Sequence, residues 1–157
     1  WLSESLMKKL EENLVLFFIE PRKGDSGNIH EKLEARMKQK GKKEDISMML
    51  SRRDNVLKTR EALLKGDLKK FSELLNTEQK SKEMLMKDLL TQKTKKIYDE
   101  AIANGAIAGK ISGAGSGGCA FFVYNKKDKN KFIKKMSQFG CVNLPLKLQR
   151  LNSMGEI

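Results

Sequence analysis

Six of the fourteen residues from Gly105 to Gly118 are glycine, half of the twelve glycines in the chain. Each glycine fixed in a fold costs about 0.5–1 kcal/mol more than alanine, because it gives up more backbone freedom. Such a concentration needs an offsetting reason, either positive φ values or close approach of the backbone to something else. The flanks narrow the choice. Ala106 to Ser112 reads as a strand, Gly113 to Gly118 as a loop, and Cys119 to Tyr124 as a second strand. Successive N–H groups in such a turn converge into a concavity that suits an anion. Ser112 and Ser116 offer hydroxyl donors to that concavity, and Lys110 offers positive charge.

Two common phosphate-binding patterns fail on context. Walker A ends in Gly-Lys-Ser/Thr and opens a helix. Here Lys110 precedes the loop and Cys-Ala-Phe-Phe-Val follows it. The dinucleotide fingerprint matches Gly113, Gly115 and Gly118 in spacing, but it too requires a helix next, and a strand comes instead.

The rest of the chain is helix-rich. Leu2, Leu6 and Leu10 recur at helical spacing, and Leu14 to Ile19 is a six-residue apolar run with the composition of a buried strand. Opening on Trp1, inside an amphipathic pattern, suggests a piece of a longer protein. Arg22 to Asn28 is a polar turn, followed by a helix over roughly 29–40. A long helix is predicted over 45–65, with Ile46, Met49, Leu50, Val56, Leu57, Leu63 and Leu64 as its buried stripe. Gly66 ends it and Asp67 caps the next, which buries Leu68, Phe71, Leu74 and Leu75. A helix over about 92–104 follows. After the glycine loop come a short helix over Phe132, Ile133 and Met136, capped at Asp128 or Asn130, and a last strand from Val142 to Leu151. This order describes an α+β domain: a small, mainly antiparallel sheet with helices packed on one face.

The run Gly109-Lys-Ile-Ser-Gly-Ala-Gly-Ser-Gly-Gly-Cys119 resembles the third signature motif of the GHMP kinases. That family includes galactokinase and the homoserine, mevalonate and phosphomevalonate kinases. The motif is usually written Gly-Gly-Lys-Leu-Ser/Thr-Gly-Ala-Gly-Gly-Gly-Gly-Cys. The chain departs from it at Ala108 and Ser116, both small replacements. Leu14-Val-Leu-Phe-Phe is similar to the strand that opens the family's C-terminal domain. The resemblance implies that residues 1–157 are a GHMP kinase C-terminal domain with a ferredoxin-like elaboration, lacking the N-terminal ATP-binding domain. It implies ATP and Mg²⁺ as cofactors and transfer of a phosphoryl group to an alcohol. The likeness is strongest to sugar-1-kinases, so a sugar or sugar phosphate is the implied acceptor. D-glycero-D-manno-heptose 7-phosphate phosphorylated at C1 is the leading case. Asp25-Ser-Gly-Asn-Ile-His30 is instead similar to a run in glucuronokinase-like members. Ser112, Gly113, Ala114, Gly115, Ser116, Gly117, Gly118 and Lys110 are then the nucleotide contacts. Arg22, Asp25 and His30 are the acceptor contacts, and no catalytic or metal-binding residue is assigned within the chain. An acceptor of the mevalonate or homoserine type is the alternative within the family.

Charge supplies a rival reading. The net charge is +12, nearly all from lysine, which suits phosphorylated ligands or nucleic acid. Gly118 to Tyr124 faintly resembles the aromatic strand of RNA-recognition modules. The expectation nevertheless excludes nucleic acid and membrane as partners and leaves a homodimer open. His30 is the only histidine, so a triad or a two-histidine metal site is not available within these residues. Cys119 and Cys141 lack metal spacing and read as reduced thiols of a cytoplasmic protein.

Overall fold

A computed structural model describes residues 2–22, 31, 42–85, 90–113 and 115–149. The elements are α1 (Glu4–Asn13), β1 (Leu14–Glu20), α2 (Lys42–Leu64), α3 (Leu68–Leu85), α4 (Gln92–Ala103), β2 (Ala108–Ile111), β3 (Gly118–Val123), α5 (Lys129–Ser137) and β4 (Val142–Leu144). The helix expected over 29–40 lies, apart from residue 31, outside the described residues.

Local chemistry sets the boundaries. The Ser3 side chain accepts from the Leu6 N–H and starts α1, and Asp67 and Asp128 do the same for α3 and α5. Between α2 and α3, Gly66 takes φ +67°. Its N–H reaches the Leu63 carbonyl and the Asp67 N–H reaches Ala62, the paired bonds of a Schellman turn. α2 and α3 thus form a helical hairpin.

All strand pairs in the sheet are antiparallel, in the order β2-β3-β1-β4. Leaving α1, α2 and α3 aside, the chain runs β1-α4-β2-β3-α5-β4, which is the ferredoxin-like arrangement. Alternation on β1 sends Val15, Phe17 and Ile19 to one face, where they join Ala120, Phe122 and Ile111. Ile97 and Ala101 of α4 and Phe132 and Met136 of α5 close that core. Phe17 and Phe132 meet edge to face at 6.0 Å, and Tyr124 stacks on Phe132 at 4.4 Å. Gly109 makes this packing possible by its size: a Cβ there would fall 2.4 Å from the Phe122 ring. Leu14, Val123 and Ala108 point the other way and join Leu6, Leu10, Ala62, Phe71, Leu74 and Leu75 in a second cluster.

Three expectations change. Most of the apolar stripe foreseen as the buried face of α2 points outward: Val56 is 61% and Leu57 58% exposed, and Met49, Leu50 and Leu64 are exposed too, while Leu63 packs half-buried on the second cluster. The side chain of Ile46 lies outside the described residues. α2 instead packs on α3 through Arg52, Asn55, Thr59 and Ala62, spaced three and four apart, with Asn55 donating to the Leu74 carbonyl at 3.0 Å. Polar pairing across the hairpin fixes that face more strongly than the aliphatic stripe does. The last strand stops at Leu144, because Pro145 has no N–H to extend a ladder. Leu146 and Leu148 leave the sheet and pack on the second cluster, where the Leu148 N–H meets Glu11 at 2.6 Å. Finally, Phe122 and Tyr124, which an RNA-recognition sheet would expose for stacking, are buried under α4 and α5.

Phe17→Ala is expected to cost about 3–5 kcal/mol in urea denaturation, since Phe17 is wholly buried. Asn55→Ala should cost about 0.5–1.5 kcal/mol, the net worth of the buried hydrogen bond it makes to the Leu74 carbonyl. Indifference to both changes would contradict this packing.

Candidate functional site

The glycine segment joins β2 to β3 and is closed at its root by the Ser112 N–H bonding to the Cys119 carbonyl at 2.8 Å. Gly113, Gly115, Gly117 and Gly118 all have positive φ, from +65° to +113°. Two of them also lack room for a side chain. A Cβ on Gly115 would lie 2.3 Å from the Leu90 side chain, and one on Gly117 would lie 2.5 Å from the Pro21 carbonyl oxygen. The loop therefore folds down onto the end of β1 and the start of α4.

Both neighbours bring polar groups. The Gly115 carbonyl accepts from the Thr91 N–H at 3.3 Å. Thr91 is the N-cap of α4: its hydroxyl accepts from the Thr94 N–H and donates to the Glu20 carboxylate. The positive end of the α4 dipole therefore lies against the loop. On the β1 side, the register slips between Phe18 and Glu20, a bulge at the rim of the sheet. Just beyond it the exposed Arg22 guanidinium covers the loop, 3.1 Å from where a Cβ on Gly113 would stand and 3.3 Å from one on Gly118. Arg22, far away in sequence, thus lies against the glycine turn, where Gly113 is exposed and Gly115, Gly117 and Gly118 are buried. Ala114, Asp25 and His30 lie outside the described residues. Ser112, at the root of the turn, and Ser116, within it, are half-buried.

Lys110 is held elsewhere. Its ammonium binds Glu78 of α3 at 3.1 Å, and Glu78 also takes Arg52 of α2 at 2.6 Å. Burial raises the Glu78 pKa, but the hydrogen bonds from Arg52 and Lys110 outweigh it and hold the carboxyl below its usual range. Sequence reasoning did not foresee this cluster, nor the row of α3 side chains along the outer edge of β2. Asn76 donates to the Ile107 carbonyl at 3.0 Å, Gln79 accepts from the Ile111 N–H at 3.0 Å, and Lys82 donates to the Ile111 carbonyl at 2.5 Å. These residues are spaced three apart, so they share one helix face. They satisfy the edge strand up to the residue before Ser112. Three polar residues at that spacing among Leu74, Leu75 and Ser72 were the available signal.

Lys82 is 2% exposed. Burial, and then the charges of Lys110 and Arg52, lower its pKa from 10.5 to about 8. Tyr98, whose hydroxyl donates to the Gly109 carbonyl at 3.3 Å, is pushed up to about 12 by burial and by Glu83 and Asp99.

Residues 59–140 match the family model for the C-terminal domain of GHMP kinases. The chain is 28% identical over 131 residues to the D-glycero-alpha-D-manno-heptose 7-phosphate kinase of Campylobacter jejuni subsp. jejuni serotype O:2, a match covering 83% of this chain and 38% of that protein. A crystal structure from Campylobacter jejuni, assigned as a sugar kinase, superposes with a TM-score of 0.61 at 27% identity, over 92% of this chain and 39% of that one. L. major mevalonate kinase in complex with R-mevalonate superposes with a TM-score of 0.70 at 21% identity, over 80% and 38% respectively, a likeness of fold. The chain spans well under half the length of each of these proteins.

Two measurements test the site's architecture. Gly115→Ala is expected to destabilise by about 1–3 kcal/mol, from its positive φ and the collision with Leu90. The lowered pKa of Lys82 has a definite sign. Between pH 8 and 10.5 the unfolded chain holds a proton that the folded one has released, so stability rises with pH, by at most about 1.4 kcal/mol per unit. Urea titrations at pH 7.5 and 9.5 should show that rise in the parent chain and its loss in Lys82→Met.

Proposed function

Because the chain belongs to the GHMP kinases through their C-terminal domain, we propose that it forms one wall of the active-site cleft of an ATP-dependent sugar kinase. An N-terminal domain beyond residues 1–157 forms the other wall. The acceptor class is a heptose phosphate, with D-glycero-D-manno-heptose 7-phosphate receiving the phosphoryl group at its C1 hydroxyl. The observation that carries this reading is the convergence of Arg22, the α4 N-terminus and four positive-φ glycines on one turn. The identity to a heptose 7-phosphate kinase supports the acceptor class.

Phosphoryl transfer asks little covalent chemistry of a protein. It asks for positioning and for positive potential where charge moves. Bare backbone at Ser112, Gly113, Ala114, Gly115, Ser116, Gly117 and Gly118 lets N–H donors come close to a phosphate without side-chain bulk. The α4 dipole adds partial positive charge, and Arg22, foreseen from the sequence as an acceptor contact, stands over the glycine turn and adds a full charge with forked donors. ATP, when bound, supplies the transferred group. Lys110 acts at one remove: its bond to Glu78 ties β2 to the α2–α3 hairpin and fixes where the loop begins. Asp25 and His30, which lie outside the described residues, are assigned to the acceptor side on the family resemblance. Among the described residues no group of three or more His, Cys, Asp or Glu comes together. The Mg²⁺ that accompanies ATP is therefore assigned to ligands beyond the described residues. Among those residues no helix is long and apolar enough to cross a membrane.

The test is ATP-dependent phosphorylation by the full polypeptide, comparing D-glycero-D-manno-heptose 7-phosphate with galactose and mevalonate. The heptose phosphate should give the highest kcat/KM, and residues 1–157 alone should give no turnover. Arg22→Ala should lower kcat/KM roughly tenfold to a hundredfold, the loss of one charged hydrogen-bonding group worth about 1.5–3 kcal/mol. Preference for mevalonate would move the acceptor assignment, and failure with every alcohol would remove the kinase reading.

A further inference from the structure

The Lys82 ammonium is buried, and the carbonyl it serves uses only part of it. The residue is 2% exposed, and the ammonium donates one of its three protons, to Ile111 at 2.5 Å. A full charge in the interior is costly unless an opposite charge meets it. The nearby carboxylates of α3 are engaged elsewhere. Glu78 takes Arg52 at 2.6 Å and Lys110 at 3.1 Å, and Glu83 accepts from the Gln79 amide at 2.9 Å. Among the described residues Lys82 makes no ion pair. Arg52, Lys82 and Lys110 against Glu78 and Glu83 leave one positive charge in excess, and Lys82 is the cation without an anion in contact.

That charge stands at the root of the glycine turn. The Ile111 carbonyl and the Ser112 N–H belong to one peptide group, and the same N–H closes the turn onto Cys119. Lys82 comes from the outer edge of β2. Arg22 comes from the end of β1, which lies beyond β3 in the sheet. The turn joining β2 to β3 is therefore flanked by a cation on each side, one exposed and one buried. Salt and water screen the exposed one far more. The Ile111 carbonyl needs a long side chain with a donor. It does not need the charge.

We propose that the counter-ion of Lys82 is the ligand: the buried ammonium supplies a fixed positive charge to the phosphate groups of ATP at the glycine turn. This rests on the kinase reading above and names a residue for it. Lys82 takes the part expected of Lys110, whose own charge is met by Glu78.

A change of pH isolates this role from the structural one. Lys82 titrates at about 8, and its neutral amine still carries N–H donors for Ile111. A phosphate anion nearby favours the charged form and raises that pKa. At pH 7 the side chain is charged with or without ligand. Between about pH 8 and 9 the free protein has released a proton that the bound phosphate draws back. The charged groups around Lys82 are Arg52 from α2, Lys110 from β2, and Glu78 and Glu83 of its own helix. Tyr98 of α4, pushed up to about 12, is neutral in this range.

The experiment is calorimetric titration of the full polypeptide with ATP and Mg²⁺, without acceptor, in buffers of different ionisation enthalpy. Proton uptake per ATP bound should be about half a proton greater at pH 8.5 than at pH 7. The Kd should weaken roughly fivefold to tenfold between pH 7 and pH 9.5, as a pKa raised by about one unit requires. Lys82→Met should remove both effects and bind ATP at pH 7 about as weakly as the parent does at pH 9.5. Where Lys82→Met does not fold, Lys82→Gln, a neutral donor, takes its place. ATP binding without the extra uptake in the parent, or with uptake undiminished in the variant, overturns the assignment to Lys82 and leaves the kinase reading standing. Absence of ATP binding at every pH overturns both.

Discussion

A strand at the edge of a sheet has one row of backbone groups with no strand to receive them, and β2 is such a strand. Its outer row is met by Asn76, Gln79 and Lys82 from one face of α3. Everything at the glycine loop depends on that contact. It fixes the backbone at Ile111, and the loop begins at the next residue. The same helix turns Glu78 to Lys110 on β2 and Arg52 on α2, so one carboxylate joins three elements. Lys82 is held at a cost that shows in its low pKa, because burial and two neighbouring cations all oppose its charge. A lysine is kept there because a buried carbonyl needs a donor that can reach it from the helix axis.

The loop illustrates two separate uses of glycine. At Gly113 and Gly118 the backbone turns into the left-handed region beneath Arg22, and a side chain would crowd the guanidinium. At Gly109 no unusual dihedral is involved. The missing side chain lets Tyr98 and Phe122 approach to 5.7 Å across the strand. A sequence motif that reads as one glycine-rich run is, in space, a floor for the core at one end and a tight positive-φ turn at the other.

Much of this was legible beforehand. Gly66 and Asp67 marked the hairpin, Asp128 marked α5, and the shift from leucine and lysine to glycine and β-formers at Ala106 marked the sheet. Those signals act over a few residues, where backbone chemistry decides. The facing of α2 was not legible in the same way. Periodicity shows that a helix has two sides, but which side turns inward depends on the partner, and here Asn55 and Arg52 find theirs on α3. The ion cluster was missed for the same reason: Arg52, Glu78 and Lys110 lie on three different elements. At the candidate site, the motif gave the glycines, while the covering by Arg22 and the contact with Thr91 came only from the tertiary fold.

The order β2-β3-β1-β4 has a consequence for synthesis. β1 is the first of the four strands to be made, yet its strand neighbours are β3 and β4, and Leu14 pairs with Val123. Until β3 is made the stretch Leu14-Val-Leu-Phe-Phe-Ile19 has no sheet to join, while the α2–α3 hairpin is complete as soon as its own residues are made. The nascent polypeptide therefore carries a sticky, strand-forming segment whose protection arrives last, and the interval before Gly118 is when it is most exposed to chaperones and to aggregation.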